Sequence, residues 1–230
     1  MTSSTVANSE NVPVLSAKDL VFGYSEGCQL LSGIDFSLYP GQSLGLEGGN
    51  GSGKTTLFRC LTGLNSLWSG EIYFNGQKVK TEKEFIRLRR SVVFSLQNAE
   101  DQLFFATALE DLSFGPLNQG LTQSAANELG MKWLAKVGLD GMGGRKIGEL
   151  SGGQQKLLAL AGVFAMEPDV LLLDEPFNGL DEKSVNRVTA ILSETPSAKI
   201  IVCHDRLLIR KLCPEVLKLE KGKLTPAASN

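Results

Sequence analysis

Three short segments hold residue types whose spacing could do chemistry. The first is Gly48-Gly49-Asn50-Gly51-Ser52-Gly53-Lys54-Thr55, followed by Thr56. Glycines let consecutive N–H groups turn inward around a chain of phosphate oxygens, and the positive end of a following helix adds a favourable field. Lys54 would bring its charge to the β- and γ-phosphates, and Thr55 its hydroxyl to a Mg²⁺ ion. Alone, this spacing means an NTPase or a kinase. The second segment, Val170-Leu-Leu-Leu-Asp174-Glu175, puts two adjacent carboxylates at the end of an apolar run. Such charges need a cation or a reacting water as partner, because burying them unpaired is costly. Asp174 suits a Mg²⁺ role, mostly through water, and Glu175 suits a general base. The third, Leu150-Ser151-Gly152-Gly153-Gln154, has a helix-capping serine and two glycines that expose N–H donors at the positive end of a helix. It reads as a second anion site. A nucleotide wrapped by the first loop has no need of it, so the simplest use is presentation to a nucleotide on another subunit.

These residues need a scaffold that delivers them to one place. Residues 43–47, 91–96, 170–173 and 199–203 are short apolar runs that end in polar residues, the pattern of buried parallel strands. Ligands of open α/β sheets bind at the edge where such strands end. Helices are expected at residues 54–62, 154–166 and 183–192, where apolar side chains recur at helical spacing. Residues 14–40 alternate in part and predict a small antiparallel layer. About residues 98–146, helical patterning with few strand signals predicts an inserted helical subdomain.

The composition narrows the function classes. At 230 residues, with 42% hydrophobic and 21% charged residues, the chain suits one globular domain, and a net charge of −2 makes no electrostatic case for nucleic-acid binding. The longest apolar run, residues 157–166, stops at Glu167-Pro168. That is far short of the roughly 20 residues needed to span a bilayer. The start, MTSSTVANSENVP, is polar and lacks a positive leader, so a disordered tail over residues 1–12 is expected and a secretory signal is not. A cytoplasmic protein follows. Cys28, Cys60, Cys203 and Cys213 are scattered, and with a single histidine in the chain they read as buried free thiols and not as a metal site.

In their order and spacing the three segments resemble those of the ABC ATPase family, over roughly residues 13–223. The resemblance implies an α/β P-loop NTPase (RecA-like) sheet core with an antiparallel β subdomain and a helical subdomain inserted at about 98–150. The domain would cover 13–225, with a tail at 226–230. It further implies that Tyr24 stacks on adenine, that Gln97 senses Mg²⁺ and the membrane partner, that Asn178-Gly-Leu-Asp181 crosses between subunits, and that His204 contacts the γ-phosphate. On this reading the catalytic residues are Glu175, His204, Gln97 and Lys54. ATP contacts run from Tyr24 through Gly48–Thr56 to Ser151–Gln154, and Thr55, Gln97 and Asp174 hold Mg²⁺.

A narrower likeness lies in Gln97-Asn-Ala-Glu-Asp-Gln-Leu-Phe104 and in residues 109–120, which are similar to ATPase subunits of energy-coupling factor importers, the CbiO-like cobalt and nickel group above all. It implies a second ATPase subunit, identical or not, a transmembrane energy-coupling subunit and a substrate-binding membrane subunit. The place of work would be the cytoplasmic face of the membrane, and cobalt, nickel or a vitamin would be the cargo. Leu96, Ala99, Asn178 and Cys203 depart from the usual residues of that group, though none removes a group needed for hydrolysis. Two rival readings, a DNA-repair or translation ATPase of the same family and a P-loop kinase or switch, fit less well. The first usually has coiled-coil insertions or two ATPase halves in one chain, and the second leaves the serine-glycine segment unexplained.

Overall fold

A computed structural model describes residues 12–227. Its main sheet has six strands in the order β10-β9-β3-β8-β7-β6. These are β3 (Ser43–Glu47), β6 (Val92–Ser95), β7 (Val170–Asp174), β8 (Ala198–Val202), β9 (Glu215–Glu220) and β10 (Lys223–Pro226). All neighbours are parallel except β10, which closes the edge antiparallel to β9. Every residue of β7 and β8 is buried. Side chains alternate between sheet faces, so Leu171, Leu173 and Ile201 join one core while Val170, Leu172, Ile200 and Val202 join another. That two-sided burial is why these strands read as unbroken apolar runs.

The second core is covered by a four-stranded antiparallel sheet, in the order β2-β1-β4-β5. Its strands are β1 (Leu15–Ser25), β2 (Cys28–Leu38), β4 (Ser69–Phe74) and β5 (Gln77–Val79), and α1 (Lys54–Leu61) packs between the sheets with Leu57, Phe58 and Leu61 fully buried. The predicted antiparallel layer is therefore present, with strands longer than the partial alternation suggests. β1 keeps its length by bulging near Asp19, whose backbone lies at φ 47.

The first core is covered by helices. α3 (Ala108–Asn118), α4 (Gln123–Val137) and α5 (Gly152–Ala165) form the expected helical subdomain, tied at its base by a bridge between Thr107 and Lys146. α6 (Glu182–Glu194) and α7 (Arg206–Leu212) complete that side. Thr107 and Ser151 start their helices with reciprocal capping boxes, to Glu110 and Gln154.

Three expectations need correction. Ser91 ends α2 (Glu82–Ser91) and does not start the strand, because the capping box of Thr81 with Glu84 begins a helix that carries through to it. Cys28 is exposed at the start of β2, while Cys60, Cys203 and Cys213 are buried thiols. The helix expected at 154–166 starts at Gly152, since Ser151 is the capping residue. The tail expectations over residues 1–11 and 228–230 lie outside the described residues. Among the described residues no helix is long and apolar enough to cross a membrane.

Candidate active site

The parallel order sends β3, β6, β7 and β8 out at the same edge, and each delivers part of the site. After β3 the chain enters the glycine loop. A side chain at Gly48 would meet the carbonyl of Leu219 and the hydroxyl of Ser52, both 2.6 Å from its Cβ, so only glycine fits the turn. Gly53 caps α1 at φ 102, in the left-handed region that glycine tolerates best, and no side chain caps the helix. Its first N–H groups are thus left for an anion. Lys54 folds back across the loop, its Nζ donating to the carbonyls of Gly48 at 2.8 Å and Gly49 at 3.1 Å. The Ser52 hydroxyl is buried without a hydrogen-bond partner.

β7 ends in Asp174, 2% exposed, which accepts a 2.5 Å hydrogen bond from the Thr55 hydroxyl. Glu175 follows at 5% exposure, its backbone at φ 50. A non-glycine residue held there is strained, and the N–H bond to the carbonyl of Val202 at 3.1 Å helps to hold it. Burial pushes the Glu175 carboxyl above the usual carboxylate range and Asp174 adds to this, while His204 and Lys54 oppose it. His204, the exposed residue just beyond β8, brings Nε2 to 3.2 Å from Glu175 Oε1, outside hydrogen-bonding geometry, which leaves that buried oxygen with no hydrogen bond.

These groups face one cleft of about 560 Å³, lined by Tyr24, Asn50 to Thr56, Gln97, Asp174, Glu175 and His204. Tyr24 stands at its mouth, 65% exposed, with its hydroxyl 3.0 Å from that of Thr56 and its ring edge-on to Phe22. Gly48 and Gly49 line an adjoining recess with Lys54, Glu175 and His204. Gln97 leaves β6 exposed at the cleft's side. A larger recess of about 780 Å³ lies elsewhere, among Trp133, Phe164, Pro168 and Ile191, and holds none of the motif side chains.

Ser151, Gly152, Gly153 and Gln154 do not line this cleft. The Ser151 hydroxyl accepts from the N–H of Gln154 at 3.3 Å, and the Gln154 side chain accepts from the N–H of Ser151 at 2.9 Å. Gly152 instead borders a second recess with Gln97, Lys156, Asn178 and Gly179. Asn178 and Gly179 are exposed, whereas Asp181 caps α6 by accepting from the N–H of Ser184 at 2.8 Å. Sequence reasoning missed three residues. Gln29 and Leu30 of β2 line the cleft beside Cys28, with nothing in their types to mark them. Lys156 is 4% exposed inside α5, and a lysine directly before the apolar run of that helix was the signal that could have found it.

A family model described as "ABC transporter" matches residues 31–178. The chain belongs to the ABC transporter family. A putative ABC transporter ATP-binding protein of Brucella suis is 44% identical over 215 residues, covering 94% of this chain and 89% of that protein. An energy-coupling factor transporter ATP-binding protein of Methanosphaera stadtmanae is 36% identical, covering 92% and 77%. Among solved structures, cbiO1 of Clostridium perfringens, described as part of the ABC transporter complex cbiONQ, superposes with a TM-score of 0.82 at 32% identity, covering 94% of this chain and 88% of that one. The expected P-loop fold is the one present, and this ABC protein is a nucleotide-binding ATPase.

Proposed function

We propose that this ABC ATPase powers a membrane importer of the energy-coupling factor type, through ATP-driven closure of a dimer on the cytoplasmic face of the membrane. One observation carries the reading: the two anion-directed segments of the chain do not share a cleft. The glycine loop and carboxylates surround one space, while Ser151 to Gln154 stand outside it. A nucleotide held by Lys54 would meet the Ser151 segment of a second subunit, identical or not.

In that arrangement Tyr24 offers its ring to adenine, and Gly48 to Thr56 hold the phosphates with Lys54. Thr55, Asp174 and Gln97 supply hydroxyl, carboxylate and amide oxygens, hard donors of the kind Mg²⁺ takes. The existing bond between Thr55 and Asp174 already gathers two of them. When bound, the ion would neutralise phosphate charge. Glu175 accepts the proton of the water that attacks the γ-phosphorus. Its raised pKa brings its basicity nearer to neutral pH, where a general base works best. His204, whose Nε2 lies 3.2 Å from Glu175 Oε1, would contact the γ-phosphate.

Phe104, Phe105 and Phe114 are exposed on the helical subdomain, and the last two rings lie 5.0 Å apart. They suit docking of a helix from the transmembrane energy-coupling subunit, next to a substrate-binding membrane subunit. Cobalt, nickel or a vitamin is the cargo proposed, on the likeness of residues 97–104 and 109–120 to ATPase subunits of energy-coupling factor importers.

Glu175→Gln tests the shared site, because it keeps the side chain's shape and removes the proton acceptor. Light scattering after gel filtration should find the variant passing from monomer to dimer on adding ATP, and adding Ser151→Arg should block the passage. A variant that binds ATP yet stays monomeric sinks closure between two copies of this chain.

A further inference from the structure

The loop that carries Gln97 is held from two sides. The N–H of Leu96 donates to Gln102 Oε1 at 2.6 Å, and the Ser95 hydroxyl donates to the same oxygen at 3.3 Å. On the other side Lys156 Nζ donates to the carbonyls of Leu96 at 3.3 Å and Gln97 at 2.8 Å. Lys156 is almost wholly buried, and an ammonium in that position is costly unless its charge and donors are matched. Two carbonyls take its protons. Burial lowers the ammonium's pKa below the usual lysine range, and the charges of Asp174 and Glu175 offset part of that cost.

An apolar residue would satisfy the packing of α5 at lower cost, so packing does not account for a lysine here. What it adds is a connection. α5 begins at the Ser151 cap, and Lys156 lies just over one turn further on the same helix. A rigid helix thus has the Ser151 segment at its start and grips the Gln97 backbone soon after.

We infer that Lys156 is a positioning residue, which holds the Gln97 loop at the side of the cleft and makes it move with α5. The inference rests on the proposed role of Gln97 for its effect on turnover, while the tether itself is a property of the nucleotide-free chain.

Hydrogen exchange of the peptide spanning residues 96–102, in nucleotide-free protein, reads the tether directly. Lys156→Met should speed exchange there on the order of tenfold while β7 keeps its protection. In steady-state assays kcat should fall on the order of tenfold, with KM for ATP within about twofold, and Lys156→Arg should restore most of both. If the methionine variant fails to fold, Lys156→Gln, which keeps a shorter neutral donor, should give the same local loosening to a smaller degree. Unchanged exchange at residues 96–102 in a folded variant overturns the inference. So does faster exchange spread through β7 and α5, which would make Lys156 a general core residue. Local loosening with unchanged kcat upholds the tether and removes Gln97 from the hydrolytic reading instead.

Discussion

Two helices of this protein begin among glycines, and they treat their free N–H groups in opposite ways. At α1 the capping residue is Gly53, no side chain accepts from the first turn, and Lys54 lies across the loop. At α5 the Ser151 hydroxyl and the Gln154 amide bind each other's backbone N–H groups. Neither helix has an acidic residue in its first turn, unlike α2, α3 and α6. Both ends are therefore compatible with an anion, but only the first is prepared for one. The second satisfies its own N–H groups with the Ser151 and Gln154 side chains. A preorganised site binds without rearrangement cost, whereas a self-capped one responds to a ligand brought to it. That difference suits the proposed site shared between two subunits.

The largest expected effect comes from removing the prepared end. Lys54→Ala should weaken ATP binding by roughly a hundredfold, through loss of charge-assisted contacts, and take hydrolysis to background. Calorimetry and phosphate release would measure it, and turnover at the wild-type rate would remove the loop from the site. Ser151→Arg should be nearly as damaging to turnover but leave ATP affinity of the single subunit within about twofold, since this end lies outside the cleft. Equal loss of affinity in both variants would erase the contrast between the two ends.

Ser151→Ala is milder. It removes one cap hydrogen bond and should cost about 1 kcal/mol of stability, seen as a lower denaturation midpoint. No change would mean that the cap is not formed in solution. The smallest effect is chemical. Burial pushes Cys60 and Cys213 up to about 12 and Cys203 to about 11, so at pH 8 they should stay protonated and resist a thiol reagent. The exposed Cys28, on the wall of the first cleft, should label alone and more slowly with ATP present. Labelling of Cys28 at the same rate with and without saturating ATP would place the nucleotide elsewhere.

Much of this was legible before the structure, for a physical reason. Lys54, Thr55, Asp174 and Glu175 lie in segments whose local pattern, an apolar strand and then a polar turn, follows from burial on both faces of a parallel sheet. Strands β4 and β5 were not legible. Of the six residues of β4 only Ile72 is fully buried, so no alternation marks them. Nor was Ser91 readable as a helix end, because the helix runs straight into Val92 of the next strand with no glycine or proline between them.

The sequence by itself determined the parts: a glycine-rich loop leading into a helix, carboxylates at the end of an apolar run, and a serine that caps a helix. Each depends on neighbours within a few residues. Only the tertiary structure decided which parts meet. Thr55 and Asp174 are 119 residues apart, and Lys156 reaches a carbonyl 59 residues away. Those meetings depend on a strand order that does not follow the chain, with β3 beside β8 and β8 beside β7. The unusual backbone of Glu175 has the same origin, since the bond that helps to hold it comes from Val202 on the neighbouring strand. Local patterns set which way a side chain faces, but long-range pairing sets what it faces, and no spacing along the chain encodes that.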